Sequence, residues 1–545
     1  MTQTGAEHVE GTARHTDFDV ILIGAGLTGI YQLIKLRETG LRVRCFEGGG
    51  GVGGTWYWNR YPGARLDSES YTYQYSFAEE MLAEWDWTQE FAGQPELETY
   101  FNRVVDQYDL RKDIQLNTPI DSMTFDEQSN NWTVTTRGGE QFTSHLVVTA
   151  TGILSAPLYP DTPGLENYQG EVYHTATWPD TEVEFAGKKV IIFGTGATGV
   201  QLITEVAKQD VEKLTIFQRT ANWAIPLRNH DLSADEMSNI RAGYQELFPW
   251  LRTTFSGFVH NWDPTPTTAY TPEELLARYE LAWSRPGFAK WTGLPLDVGT
   301  DPEVNQGWCD FVAGKIRERV TDPKVADMLI PDHLYGTKRV PCESGYYESF
   351  NQDNVELISL QENPVLEYTA TGVRTAQGDI DADMICFATG FYAFTGALDR
   401  IDITGQGGRK LKDEWEDGPV TFMGVQVDGF PNLLINGGPH GKGGHGNSTR
   451  CSEPVVEWTA DLVKYIFDNN IARVEPDPEA QRRWTDHVYE VANGTLMSRT
   501  KSFFFGDNVP GKKRAYLAYV GALPAFVNDL QAMAADGYPD LIFTK

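Results

Sequence analysis

Residues 18–29 read Phe-Asp-Val-Ile-Leu-Ile-Gly-Ala-Gly-Leu-Thr-Gly, and residues 188–199 read Lys-Lys-Val-Ile-Ile-Phe-Gly-Thr-Gly-Ala-Thr-Gly. Each is a short apolar run of strand length that breaks into a GxGxxG turn and resumes at helical spacing. Ile30, Leu33 and Ile34 keep that spacing, so a helix is expected over about Leu27–Glu38, with Gly40 at its stop. The second helix is expected over about Thr198–Ala207, and further strands over Arg42–Phe46, His145–Thr149, Leu214–Phe217 and Met384–Phe387. Hairpin-like strands are expected over Asp121–Gly139 and again over Val355–Val373. One glycine-rich turn is a weak signal; the same strand–turn–helix–strand order twice in one chain is a strong one.

The glycines have separate tasks. Gly24 and Gly194 allow the tight turn, Gly26 and Gly196 let the backbone approach a pyrophosphate, and Gly29 and Gly199 let helix and strand pack closely. The helix N-terminus then offers unpaired N–H groups and a positive dipole end to the phosphates. The ends of the second strands separate the two sites. Glu47 can accept both ribose hydroxyls of an adenosine. Arg219, at the matching place in the second copy, suits a 2′-phosphate. FAD is therefore expected at the first turn and NADPH at the second.

The expected fold is α/β, with two Rossmann-like dinucleotide-binding domains (FAD and NADP) and a helical insertion in the NADP domain. The expected boundaries are a disordered tail at 1–17, an FAD domain from 18–154 and 391–545, an NADP domain from 155–223 and 336–390, and the insertion at 224–335.

The chain has 545 residues, 41% hydrophobic and 12% aromatic, enough for large cores. Its 45 basic and 76 acidic residues give a net charge of −31, which repels nucleic acid and anionic membrane. An ordinary acidic surface and a halophile's carboxylate coat both produce this balance; the halophilic reading is the expectation. Five scattered cysteines without a CxxC pair argue against a disulfide framework, a zinc knuckle or a dithiol redox centre. The apolar stretch Phe18–Tyr31 is too short and glycine-broken to span a bilayer. A cytoplasmic protein is expected, monomeric or a weak homo-oligomer, with no nucleic-acid or membrane partner.

Two further segments carry a family resemblance. Tyr168-Gln-Gly170-Glu-Val-Tyr-His174-Thr-Ala-Thr-Trp178-Pro179 resembles the FxGxxxHxxxW(P/D) fingerprint of type I Baeyer–Villiger monooxygenases, with Tyr168 in place of the usual Phe. Gly53-Gly54-Thr55-Trp56-Tyr57-Trp58-Asn-Arg-Tyr-Pro-Gly-Ala-Arg65-Leu-Asp67 is similar to that family's longer N-terminal motif. The resemblance implies a flavoprotein in which NADPH reduces FAD, dioxygen adds at C4a, and the resulting peroxide attacks a ketone to give an ester or lactone. The partners implied are a small ketone and O₂. The alternative is an N- or S-oxygenating flavin monooxygenase, a relative that generally lacks Trp-Pro and the GTWYW segment.

The resemblance also implies roles. Arg339 would hold the anionic oxygens and Asp67 would orient it; these are the expected catalytic residues. Lys338 would join Arg219 and Thr220 at the 2′-phosphate, and Trp56 would lie near flavin and nicotinamide. His174 is a motif residue for which a structural part is at least as well founded as a catalytic one. The cofactor-binding residues expected overall are Gly24, Gly26, Thr28, Gly29, Glu47, Gly54, Thr55, Trp56, Tyr57, Trp58, Arg65, Asp67, Tyr73, Thr195, Gly196, Ala197, Thr198, Gly199, Gln201, Arg219, Thr220, Lys338 and Arg339. Gly170, His174 and Trp178 complete the motif. No metal is expected: the two histidines of residues 437–447 lack further ligands, and that glycine-rich loop is expected to be an adaptable pocket wall. Phe503 stands where the family usually has Trp and cannot donate that indole's hydrogen bond.

Overall fold

The computed structural model describes residues 16–442 and 445–545. β1 (Phe18–Ile23), α1 (Leu27–Glu38) and β2 (Val43–Phe46) form where the first repeat puts them. Val20, Ile21 and Leu22 are fully buried, because a parallel strand covered on both faces has no solvent side. β1 pairs in parallel with β2 and with β3 (Gln141–Thr149). The sheet runs Asp402–Thr404, Ile120–Asp126, Asn131–Thr136, β3, β1, β2, Ile114–Gln115, with Leu433–Ile435 also on β3.

The second repeat gives β4 (Lys189–Phe193), α2 (Ala197–Val206), β5 (Lys213–Gln218) and β6 (Met384–Phe387). These build a five-stranded, wholly parallel sheet in the order Val355–Ser359, β5, β4, β6, Glu171–His174. Here one expectation fails. Val355–Ser359 is not part of a hairpin but the parallel edge strand beside β5; the antiparallel unit is a separate meander of Val365–Thr369, Gly372–Thr375 and Gly378–Asp381. A half-buried edge strand has the same alternation whether its neighbour runs parallel or antiparallel, so the pattern could not separate them.

Between β5 and β6 lie helices Ala234–Ala242, Tyr244–Leu251, Pro272–Ser284, Ala289–Thr292, Pro302–Arg319 and Pro323–Leu329. Ser233 with Glu236 and Thr271 with Glu274 form capping boxes that start two of them. A short parallel pair, Ile225–Pro226 with Cys342–Glu343, closes the neck of this segment and fixes the chain next to Arg339. A 21-residue helix, α3 (Ser448–Asp468), lies across α1, and Val456, Leu462, Val463 and Ile466 share a core with Ile30, Leu33 and Ile34.

Residues 1–15 of the expected tail lie outside the described residues. Its last two residues, Thr16 and Asp17, are tied to the sheet instead. The Asp17 carboxylate accepts from the Thr143 N–H and hydroxyl at 2.8 Å each, and Arg42 donates to the Thr16 carbonyl at 2.9 Å.

Candidate active site

The two glycine turns are near copies. Gly24 and Gly194 have φ of +105° and +104°, a conformation that glycine adopts without strain. A Cβ at Gly194 would meet the Ala388 carbonyl oxygen at 2.5 Å, and one at Gly24 would meet that of Ala150. This explains why each repeat ends in Ala-Thr-Gly: the end of a neighbouring strand presses on the first turn glycine. A Cβ at Gly29 or Gly199 would run into the carbonyl oxygen of Gly24 or Gly194 respectively. Gly26 and Gly196 are the N-caps of α1 and α2, and neither supplies a side-chain cap. The first N–H groups of both helices are thus left for a ligand, and the site fits two pyrophosphates.

In the first turn a second backbone closes in: a Cβ on Gly54 would lie 2.8 Å from the Gly26 Cα, and Gly53 donates to the Ala25 carbonyl at 2.9 Å. Thr55, exposed, then starts the short helix Thr55–Trp58. Glu47 is buried, with one oxygen accepting from Ala25 N–H and the other from Gly49 N–H, both at 2.7 Å. Burial pushes its carboxyl up, and the N–H groups of Ala25, Gly49 and Gly48 pull it back. The glycine run 48–51 has a packing cause that the sequence hid. The Tyr57 ring lies against it, so a Cβ at Gly49 or Gly51 would come within 2.9 or 2.6 Å of that ring, and the Tyr57 hydroxyl accepts from Gly50 N–H at 3.1 Å.

At the second ribose end the Thr195 hydroxyl donates to Gln218 Oε1 (3.1 Å) and bridges to the Thr220 carbonyl (3.3 Å), which fixes the strand end that carries Arg219. Lys338 comes from the far side of the insertion, close enough for its charge to be felt by Arg219. Burial lowers the Lys338 ammonium below its usual range, Asp332 opposes that, and Arg219 adds repulsion. Two cations set together in this way fit a dianionic phosphate.

Asp67 and Arg339, 272 positions apart, meet at 2.6 Å between Oδ2 and Nη2. The Asp67 side chain is 2% exposed and that of Arg339 is 35% exposed, so the pair has one face in the protein and one toward an opening. Burial pushes the Asp67 carboxyl up, and Arg339 is the strongest influence against it. Cys342 N–H supports the same oxygen at 3.4 Å, and Asn222 donates to the Arg339 carbonyl at 3.0 Å. Arg339 Nη1 and Asp67 Oδ1 are buried without a partner. The guanidinium therefore keeps donors in reserve. Nothing in the sequence pointed to Asn222; it stands three residues after Arg219 and holds the neck of the insertion.

The other motif residues are structural ties. His174 ends the Glu171–His174 edge strand; its Nδ1 accepts from Ala176 N–H at 3.0 Å, and its Nε2 faces the Leu158 carbonyl at 3.1 Å. Both nitrogens are engaged, burial pulls the imidazole down, and a general-base part has no lone pair left. Trp178 packs on Tyr173 and Phe185 in the core. A Cβ at Gly170 would clash with the Tyr168 hydroxyl, which donates to the Ala382 carbonyl at 2.9 Å, so the Tyr that replaces Phe has found a use for its oxygen.

Trp56 is buried and donates to the Tyr73 hydroxyl at 3.2 Å. Trp58 is 40% exposed and packs edge-on against Tyr57. Gln201 spends both ends of its amide on the first lobe, accepting from the Tyr61 hydroxyl (2.7 Å) and donating to the Arg65 carbonyl (3.2 Å). Ala197 opens α2, and the Thr198 hydroxyl pairs with that of Thr175 at 3.3 Å. Thr28 meets Ser452 at 3.2 Å across the α1–α3 contact.

Of loop 437–447, Gly443 and Gly444 lie outside the described residues. His440 donates its backbone N–H to the Leu517 carbonyl, its Nε2 sits 2.9 Å from the Tyr516 carbonyl, and burial pulls its ring down to about 4. A Cβ at Gly424 would strike the Gly441 backbone, so these two glycines allow a close packing. His445 packs edge-on against Trp291 and Phe504. Phe503 stacks between Phe394 and Phe504 and needs no hydrogen-bond partner there.

Comparison with known proteins places these features in context. The model of the family described as "Flavin-binding monooxygenase-like" matches residues 18–243. An acetone monooxygenase (methyl acetate-forming) of Gordonia sp. strain TY-5 is 40% identical over 96% of this chain and 98% of its own. The phenazine N-monooxygenase PhzNO1 of Lysobacter antibioticus is 39% identical over 97% of each chain. Among solved structures, OTEMO in complex with FAD and NADP superposes with a TM-score of 0.94 at 39% identity, covering 97% of this chain and all of that one.

Proposed function

This chain belongs to the Baeyer–Villiger monooxygenases of the flavin-binding monooxygenase-like family, and we propose that its Arg339–Asp67 pair carries their reaction here. The protein is an NADPH-dependent flavoprotein monooxygenase that converts ketones to esters or lactones with O₂. Bound FAD, once reduced by NADPH, supplies the activation of O₂.

The chain supplies the rest. The Gly24–Gly29 turn, with Gly54 closing over it and Glu47 at the ribose, holds FAD. The Gly194–Gly199 turn with Arg219, Thr220 and Lys338 holds NADPH. Arg339 holds negative charge on the attacking oxygen and on the ketone oxygen when its carbonyl is attacked. Its guanidinium is not consumed in the reaction, while buried Asp67 fixes the plane of its fork. The single observation that supports this reading most is the 2.6 Å pair with a second, unpartnered Nη1 in reserve. The free thiols of all five buried cysteines agree with work in the reducing cytoplasm.

The test is incubation with NADPH, ¹⁸O₂ and a panel of ketones, amines and sulfides, with products identified by mass. Esters or lactones carrying one labelled oxygen are expected; N-oxides alone, the outcome that the phenazine relative represents, would overturn the assignment. Asp67→Asn, which keeps shape and removes the countercharge, is expected to lower kcat for ester formation about 10- to 100-fold with FAD content unchanged. An unaltered kcat would make the pair merely structural. Arg219→Ala and Lys338→Ala should each lower kcat/KM for NADPH about tenfold or more, while kcat/KM for NADH stays within about twofold. Steady-state kinetics with both nucleotides decides that point.

A further inference from the structure

Lys442 is 0% exposed, and its Nζ donates to the carbonyl of Gly521, with the Phe255 ring 5.3 Å away. Among the described residues no carboxylate answers it. The only titratable group that acts on it is the Cys451 thiol, and it in turn acts on the neutral ring of His445. Other buried cations are compensated: Arg450 has Glu453 at 3.0 Å, and Lys290 has Glu343 and Glu69 within electrostatic reach. A wholly buried ammonium with no counter-ion costs several kcal/mol in a folded protein, so an anion brought beside it by a ligand would be strongly held.

Its surroundings say which anion. Lys442 lines a narrow crevice with Thr28, Met423, Gly424, Cys451 and Ser452. Thr28 stands in the first turn of α1, within the Gly24–Gly29 turn, and Cys451 and Ser452 stand near the start of α3. Two helix N-termini, each a positive dipole end, and one bare ammonium thus converge inside a chain of net charge −31. All of these elements belong to the lobe assigned to FAD, and none to the NADPH turn. Hydride transfer from NADPH adds two electrons and one proton to the isoalloxazine ring and leaves NADP⁺, so the ring gains one negative charge.

We propose that Lys442 is a positioning residue for reduced FAD, its ammonium neutralising the charge that the ring gains on reduction. This rests on the FAD assignment above. Burial without an anion pulls the ammonium down to about 8; a reduced ring beside it would hold the proton on.

The test measures midpoint potentials of the FAD-loaded enzyme, Lys442→Gln and Lys442→Arg against a reference dye, with FAD content measured first by absorbance. Gln keeps a donor for the Gly521 carbonyl and removes the charge; Arg keeps the charge. Lys442→Gln is expected to weaken binding of reduced relative to oxidised FAD about tenfold, a fall of ~30 mV for a two-electron couple. Lys442→Arg should stay within about threefold of the unaltered enzyme on the same scale. An unchanged potential in FAD-replete Lys442→Gln overturns the proposal, whereas an unaltered protein that takes up no FAD overturns the assignment beneath it. Should Lys442→Gln not retain FAD, the unaltered enzyme decides: its potential must fall more steeply with pH above about 8 than below, because reduction there takes up an extra proton. A constant slope refutes the idea.

Discussion

Arg339→Ala is expected to stop ester formation, with kcat down by at least about 10³-fold, while NADPH still reduces the flavin at close to its normal rate. The two halves of the reaction separate here because the charge that Arg339 meets develops on oxygen, after the flavin has been reduced. The loss is large for two reasons. The donors that meet developing negative charge disappear, and buried Asp67, whose strongest stabilising influence is Arg339, must take up a proton or repel the oxygen anion. Oxygen consumption should continue with hydrogen peroxide as the product, so the coupling ratio of ester to NADPH is the sensitive readout. Arg339→Lys should recover little, since an ammonium cannot face Asp67 and a substrate oxygen with a planar fork. Ester formation at the normal rate by the alanine variant would remove Arg339 from the reaction.

Gly29→Ala should abolish FAD retention, lowering the flavin-to-protein ratio by at least about tenfold after gel filtration. The new methyl has nowhere to go: its position lies 1.9 Å from the Gly24 carbonyl oxygen and 3.5 Å from the Ala150 side chain. α1 must then move off β1, which opens the turn and misdirects the helix's first N–H groups. The equivalent change at Gly199 should spare FAD and weaken NADPH, because the same clash recurs in the second turn against Gly194. Gly314→Ala, in the helix Pro302–Arg319 and away from both turns, is the control, since no neighbouring element lies within 4 Å of its Cβ position. Equal FAD content in Gly29→Ala and the unaltered protein would refute this account of the turn.

The doubled strand–turn–helix was legible because its signal is local: apolar period, glycine spacing and helix stop all fall within some thirty residues. α1 and β6 therefore begin and end where their residues say they should. The Arg339–Asp67 pair was legible only through family resemblance, since no period or spacing connects residues so far apart. Three features needed coordinates. Glycines 48–51 say nothing alone; they make sense once the Tyr57 ring lies on them. Gln201 stands on a helix beside a phosphate turn, yet its amide is committed to Tyr61 and Arg65, because Gly63 lets the first lobe's loop press on α2. Gly424 and Gly441 meet back to back, a contact that composition could not announce, because glycine permits both freedom and close backbone packing.

The reactive cation and its partner stand 272 positions apart, and the paired neck strands Ile225–Pro226 and Cys342–Glu343 hold Arg339 where it reaches Asp67. A protein with both glycine turns intact but this neck pulled apart would burn reducing power to produce a toxic oxidant. The neck pairing thus works as an interlock on a hazardous reaction: where it fails, the productive step fails with it.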